Sequence, residues 1–144
     1  MITTTKIYEV MTKNVVTISD TDMIVDIQRT FTINHLRHAP VCEGSTVVGM
    51  ISLIDLRRNI SFEEKREAAS KEDFNLTARQ IMAPDPITLQ SNQTVKDAAL
   101  IFSENEFHAA PVLENGNLVG IISTTDIIRF LINAIDEWEE DSTA

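Results

Sequence analysis

The chain is short of most features that would announce an activity. It holds a single cysteine, Cys42, so no internal disulfide can form. No apolar run reaches the length of a membrane span, and no membrane partner is expected. The opening Met1-Ile2-Thr3-Thr4-Thr5-Lys6 has no apolar stretch of the signal-peptide kind, so a cytoplasmic setting is the expectation. There is no glycine-rich phosphate loop and no nucleophile–base arrangement. The three histidines, His35, His38 and His108, show no metal-ligand spacing with Cys42 or with carboxylates. Catalysis, a resident cofactor and a metal are therefore not expected. Bases are also scarce: 12 Lys and Arg stand against 22 Asp and Glu, a net charge of −10. Such a chain would repel the phosphates that a nucleic-acid binder must neutralise.

What is present is ordinary in bulk and unusual in order. The 144 residues are 43 % hydrophobic and 24 % charged, a globular composition. The acids are unevenly spread. Asp136-Glu137-Trp138-Glu139-Glu140-Asp141 holds five acids and no base. Residues 60–75 hold five acids against three bases. Arg37, Arg57, Arg58 and Arg129 lie outside both stretches, so a small anion held by local bases remains open.

The chain repeats itself. Shifted by 71 positions, residues 10–59 match residues 81–130 without a gap, and 15 of the 50 pairs are identical. Met11 falls on Met82, Thr17 on Thr88, Asp26 on Asp97 and Phe31 on Phe102. Ala39-Pro40-Val41 falls on Ala110-Pro111-Val112, Gly49 on Gly120, Ser52 on Ser123 and Asp55 on Asp126. The expected division is a first repeat over 6–59, a linker with a short helix over 60–76, a second repeat over 77–133 and an acidic tail over 134–144.

Each repeat reads as helix, strand, helix, strand, strand, helix. A short helix ends at Met11 or Met82, the second opened by the capping-box pattern Thr77-Ala78-Arg79-Gln80. An extended piece follows at 15–18 or 86–89. The next helix is amphipathic, with Ile24, Ile27 and Phe31, or Val95, Ala98, Ala99 and Phe102, at helical spacing. Two strands then form a hairpin, turned by Asn115-Gly116 in the second copy and by Glu43-Gly44-Ser45 in the first. A last helix starts near Ser52 or Ser123. In the linker, Ser61-Phe62-Glu63-Glu64 reads as a second capping box, opening a polar helix through Lys65-Arg66-Glu67-Ala68-Ala69. One such unit would bury little apolar surface alone, so the pair is expected to share a core.

These repeats resemble the CBS (cystathionine-β-synthase) domain, as a tandem pair, over roughly residues 6–133. The resemblance rests on Val10-Met11-Thr12 and Ile81-Met82-Ala83, on Arg37-His38-Ala39-Pro40-Val41, and on two closing segments. These are Gly49-Met50-Ile51-Ser52-Leu53-Ile54-Asp55 and Gly120-Ile121-Ile122-Ser123-Thr124-Thr125-Asp126. It implies an α/β (α+β) fold of two βαββα repeats related by a pseudo-two-fold axis, with their sheets packed together and a cleft on each side. It also implies a homodimer, a regulated partner protein, and a ligand such as AMP, ADP, ATP or an S-adenosyl compound.

The candidate site follows from the closing segments. A carboxylate accepts hydrogen bonds from both ribose hydroxyls, and a serine at a helix start suits a phosphate. By resemblance, Asp55 and Asp126 are ribose ligands, and Ser52 and Ser123 contact phosphate or ribose. Ser-x-x-Asp at a helix start equally describes a cap that needs no ligand. Thr125, before Asp126, carries a hydroxyl often found there in the family, where the first copy has Ile54. Arg37 and His108 align where the family often places a phosphate-binding base, with His38 one position on. Ordinary strand-edge roles fit the two histidines as well. Arg58 and Arg129 follow the aspartates by three residues, within reach of a phosphate or of an ion pair with the aspartates. For the adenine, the family-matched strands are Val16, Thr17, Ile18 and Ile87, Thr88, Leu89, with Val41 and Val112 nearby. Plain core packing accounts for the same residues. Cys42 reads as a small buried apolar residue, and Trp138 as a helix-end anchor. The expected function is a nucleotide-sensing regulatory module. The competing reading is a ligand-independent dimerisation module.

Overall fold

The structure, a computed structural model, describes residues 4–66 and 76–143. The chain runs α1 (Ile7–Val10), β1 (Ile18–Ser19), α2 (Ile24–Asn34), β2 (His38–Glu43), β3 (Thr46–Ser52) and α3 (Leu53–Arg66). It continues α4 (Ala78–Ile81), β4 (Ala83–Pro84), β5 (Leu89–Gln90), α5 (Val95–Glu104), β6 (Ala109–Glu114), β7 (Asn117–Ser123) and α6 (Thr124–Thr143). No helix among the described residues is long and apolar enough to cross a membrane.

These elements form two compact units, one of Val16–Pro86 and one of Met1–Val15 with Ile87–Ala144. The first carries a four-stranded sheet of order β1-β2-β3-β4, with β1 parallel to β2 and the other pairs antiparallel. The second carries a three-stranded sheet of order β5-β6-β7 with the same pairing of its first three strands. The repeat is therefore written into the ladders. Ile18 pairs Val41 as Leu89 pairs Val112, and both hairpins shift register at equivalent places, Val41/Cys42 and Val112/Leu113.

Local chemistry explains the elements. The helical spacing on α2 buries Ile24, Ile27 and Phe31, and that on α5 buries Val95, Ala98 and Phe102, as the sequence pattern predicts. The β6–β7 turn sets Asn115 at φ 51° and Gly116 at φ 81°, the two positive values a tight hairpin turn demands. In the β2–β3 turn only Gly44 takes positive φ, at 61°. Helix α5 has a complete cap: the Thr94 hydroxyl accepts from the Asp97 N–H at 3.1 Å, and Asp97 Oδ2 accepts from the Thr94 N–H at 3.0 Å. In α2 the cap position is Met23, which cannot act this way, and the Ile24 N–H donates to the Leu76 carbonyl instead.

The opening segments of the two repeats are exchanged. Helix α1, read from sequence as the start of the first repeat, packs with the second. Ile7 is fully buried among Leu89, Val95, Ala98, Phe102, Val112 and Ile122. Helix α4 correspondingly gives Ala78 and Ile81 to the core of Ile18, Ile24, Ile27, Phe31, Val41 and Ile51. Backbone bonds fix both placements. Thr12 and Ile121 exchange N–H···O bonds of 2.9 and 3.0 Å, and β4 pairs β3 through Gly49 with Pro84 and Met50 with Ala83. The glycines of the closing motif explain the fit. A Cβ on Gly120 would meet the Met11 Sδ, and a Cβ on Gly49 would meet the Met82 Sδ and the Ala83 carbonyl oxygen. Each methionine therefore lies against a bare glycine of the other repeat.

Each unit has its own cluster of buried residues. The helix expected to start at Ser61 is the tail of α3, which runs unbroken from Leu53 to Arg66; the rest of that expected helix, Glu67-Ala68-Ala69, lies outside the described residues. Helix α6 runs on through the acidic residues to Thr143. At α4, only half of the expected capping box forms: Gln80 Oε1 accepts from the Thr77 N–H at 2.8 Å, and the Thr77 hydroxyl bonds the same oxygen at 3.3 Å.

The exchange makes a checkable claim. Ile7→Ala should cost about 2–5 kcal/mol, the usual price of a large-to-small change in a core. Hydrogen exchange should show lost protection in β5, β6 and β7, with β1, β2 and β3 spared; loss centred on β1–β3 would contradict the exchange. The cap on α5 makes another. Hydrogen bonds from Thr94, the backbone N–H first and then the side chain, hold the Asp97 carboxyl below its ordinary range, aided by Lys6 and Lys96. A depressed pKa contributes stability above the unfolded value and loses it as pH falls through the folded value. Asp97→Asn should therefore be less stable than wild type at neutral pH, with the gap closing as the medium is taken through the acid side of the carboxylate range. Denaturation midpoints across pH measure this, and a gap that stays constant would refute it.

Candidate functional site

Each set of candidate residues lies within one unit. Val16, Thr17, Ile18, Arg37, His38, Val41, Ser52, Asp55 and Arg58 fall in Val16–Pro86. Ile87, Thr88, Leu89, His108, Val112, Ser123, Thr125, Asp126 and Arg129 fall in the other unit.

In Val16–Pro86 the site is built at the strand-to-helix junction. Ser52 ends β3, where it pairs His38 at the start of β2. The Leu53 N–H, at the mouth of α3, donates to the Arg37 carbonyl at 2.8 Å. The ladder and this bond hold the Arg37-His38 backbone beside Ser52 and the open end of α3. The Ser52 hydroxyl accepts from the Asp55 N–H at 3.1 Å, and Asp55 Oδ1 lies 3.7 Å from Arg58 Nη1. Arg58 is three-quarters exposed, so this pair contributes little stability and leaves its cation accessible. Arg37 is exposed and His38 half-buried.

The other unit repeats the junction with different polar contacts. Ser123 ends β7 opposite Ala109, and the Thr124 N–H donates to the His108 carbonyl at 2.9 Å. Here the serine and aspartate close a reciprocal cap. Asp126 Oδ2 accepts from the Ser123 N–H at 2.9 Å and from its hydroxyl at 3.1 Å, while the Asp126 N–H donates back to Ser123 Oγ at 3.2 Å. The capping reading is thus true of this protein, in full at Ser123 and Asp126 and in half at Ser52 and Asp55. It does not use up the carboxylate: among the described residues Asp126 Oδ1 accepts no hydrogen bond. Arg129 forms no ion pair among the described residues, so the pairing expected with Asp126 is absent there, whereas the Asp55–Arg58 pair is present. Thr125 and His108 are exposed.

The candidates for the adenine divide by burial. Ile18, Leu89, Val41 and Val112 are 0–1 % exposed, so they are core residues that back a binding surface and offer none of their own. Val16 and Thr88 are half-buried, and Thr17 and Ile87 exposed. These four present surface. Cys42 is half-buried rather than buried, and partial burial pushes its thiol up. Trp138 is 67 % exposed. Sequence reasoning missed the role of Gly49 and Gly120 as seats for Met82 and Met11. The identities at an offset of 71 flag all four residues but do not say which glycine meets which methionine.

Comparisons with known proteins bear on this geometry. The chain is 27 % identical over 133 residues to protein MJ1232 of Methanocaldococcus jannaschii, covering 92 % of this chain and 41 % of that one. It spans less than half the length of that relative and of others from the same organism. Among solved structures it is similar to CBSX2 of Arabidopsis thaliana in complex with AMP, at a TM-score of 0.74 and 23 % identity, covering 90 % of this chain and 98 % of that one. It is similar, at a TM-score of 0.75 and 20 % identity, to the CBS domain pair of protein MJ0100 in complex with 5′-methylthioadenosine and S-adenosyl-L-methionine, covering 90 % and 98 %. The CBS domain model matches residues 7–61 and again residues 78–133, and with two copies filling most of its length the chain belongs to the CBS domain family.

Proposed function

We propose that this chain is a regulatory module that binds an adenine nucleotide or S-adenosyl compound and has no catalysis of its own. The observation that carries the reading is the duplicated junction. In both units a strand ends in serine beside a backbone segment carrying a base, a helix opens at that serine, and an aspartate sits one turn in. The free backbone donors and dipole of the helix start suit a phosphate, and the carboxylate suits a ribose. Asp55 and Asp126 are read as the ribose ligands. Ser52, Ser123 and Thr125, with Arg37, His38, His108, Arg58 and Arg129, are read as contacts for phosphate or ribose. Val16, Thr17, Ile87 and Thr88 are read as the surface for the base. AMP on CBSX2, and methylthioadenosine with S-adenosylmethionine on MJ0100, support this class of ligand.

Ligand binding at Asp126 requires a rearrangement on this reading. Ribose hydroxyls take Oδ1 and compete for Oδ2, which now closes the cap with Ser123. The start of α6 would then report occupancy to whatever protein the module regulates. A homodimer in the cytoplasm is the proposed setting. The exposed Val25 and Ile33 on α2 and Ile54 on α3 are apolar surface that a second copy can cover.

Thermal unfolding tests the binding. AMP, ADP, ATP and S-adenosylmethionine are added at millimolar concentration to wild type, Asp55→Asn and Asp126→Asn. A ligand at a hundred times its dissociation constant adds about 2.7 kcal/mol, worth several degrees in the midpoint. The expected result is a rise selective for one ligand and reduced by one or both substitutions, with the nucleotide recovered unchanged. No rise with any ligand, in a folded protein, would favour the dimerisation module. Light scattering checks the second claim, with Val25→Ser/Ile33→Ser expected to shift mass from dimer to monomer.

A further inference from the structure

The two strand-to-helix junctions share a backbone but not a charge. Over residues 37–38 and 52–58, the junction of α3 carries three arginines and one aspartate. Over residues 108–109 and 123–129, the junction of α6 carries one arginine and one aspartate. Arg37 stands where the repeat has His108, and His38 where it has Ala109. The ladders put these differences beside the serines. His38 pairs Ser52 and Ala109 pairs Ser123, and directly opposed residues of an antiparallel pair share one face of the sheet. On that face Ser52 has an imidazole for a neighbour, and Ser123 has a methyl group. Arg37 is exposed, and its carbonyl accepts from the Leu53 N–H, so its side chain springs from the mouth of α3.

The aspartates widen the difference. Free backbone donors at a helix start attract an anion. At α6 the chain supplies that anion itself. Asp126 Oδ2 accepts from the Ser123 N–H at 2.9 Å and from the Ser123 hydroxyl at 3.1 Å. An incoming phosphate would compete for these donors and meet a carboxylate of its own sign. At α3 the Asp55 carboxylate accepts neither bond from Ser52; it lies 3.7 Å from Arg58 Nη1, and only the Asp55 N–H reaches the Ser52 hydroxyl. The Thr125 hydroxyl, where the first copy has Ile54, gives the junction of α6 a polar group but no charge.

We propose, resting on the nucleotide reading above, that the site in Val16–Pro86 selects a nucleoside 5′-phosphate through Arg37 and His38, and that the Asp126 carboxylate bars phosphate from the other site. Calorimetry of the full chain with AMP and with adenosine, which differ only by the phosphate, tests this. AMP should fill one site per chain and bind roughly tenfold tighter than adenosine, the gain of a charge-assisted contact to an arginine. Asp55→Asn should weaken both ligands. Arg37→His/His38→Ala gives the first junction the residues that the second already carries. It should weaken AMP about tenfold and leave adenosine as it was, a split that a general loss of structure would not produce. Asp126→Asn should leave AMP binding at its wild-type strength. Two equal AMP sites per chain would overturn the proposal. So would AMP binding lost in Asp126→Asn and kept in Asp55→Asn, or a preference for AMP that survives Arg37→His/His38→Ala. Binding of S-adenosylmethionine with none of AMP would overturn the phosphate selection alone. No binding of AMP, adenosine or S-adenosylmethionine would overturn the nucleotide reading as well.

Discussion

Everything in this protein hangs on the seating of two methionines against two glycines. Met11 lies where a side chain on Gly120 would be, and Met82 where one on Gly49 would be. Around each contact the backbone closes, through the Thr12–Ile121 pair in one unit and the β3–β4 pair in the other. The result is a chain whose opening helix completes the core of its second repeat, and whose second opening helix completes the core of its first. Neither repeat is complete as its own sequence segment. This gives the duplication a physical reason: each copy supplies the other with a missing piece.

The same contacts govern the candidate site. Gly49 and Gly120 sit on β3 and β7, three residues before Ser52 and Ser123. The strand that seats the exchanged methionine is therefore the strand that delivers serine to the helix start. The junction is held by the ladder on one side and by the Arg37 or His108 carbonyl, which accepts from the first helical N–H. Its side chains are not equally committed. Asp126 is held by Ser123, and Asp55 faces Arg58 instead. Two sites of one ancestry thus start from different resting states, one with its carboxylate turned to a cap and one with it beside a cation.

Much of the fold was legible in the sequence. Periodicity placed α2 and α5 and named their buried faces, and Asn115-Gly116 marked its hairpin, because these signals depend only on neighbours within a few residues. The exchange was not legible. Both repeats carry methionine, glycine and a similar apolar pattern, and the sequence does not state which core has room for Ile7 and which only for Ala78. The end of α3 was misread for a related reason: Ser61-Phe62-Glu63-Glu64 fits a cap, but a capping pattern starts a helix only where the preceding chain is not already helical. At the site, residue types pointed to the serines, aspartates and bases. They did not separate Ile18, Leu89, Val41 and Val112, sealed in the cores, from Val16, Thr17, Ile87 and Thr88, which reach the surface.

Apolar fit distinguishes the two opening helices, since Ile7 stands where the repeat has Ala78, and polar groups distinguish them further. Arg79 on α4 donates through Nε and Nη2 to Asp20 Oδ2 at 3.2 and 3.1 Å, and through Nη2 to Glu43 Oε2 at 2.9 Å. The repeat places Tyr8 where Arg79 stands, Ser91 where Asp20 stands and Glu114 where Glu43 stands. In that unit the Tyr8 N–H donates to the Ser91 carbonyl at 3.1 Å, and Ser91 is buried. Seating α4 on the second repeat would leave Arg79 with one carboxylate instead of two. Seating α1 on the first would bring Tyr8 to Asp20, whose carboxylate is 15 % exposed, and remove its cation. A single exposed ion pair is worth at most about 1 kcal/mol, too little to hold a fold together. The charged cluster adds to a choice that the fit of Ile7 and Ala78, each fully buried in its own core, already favours.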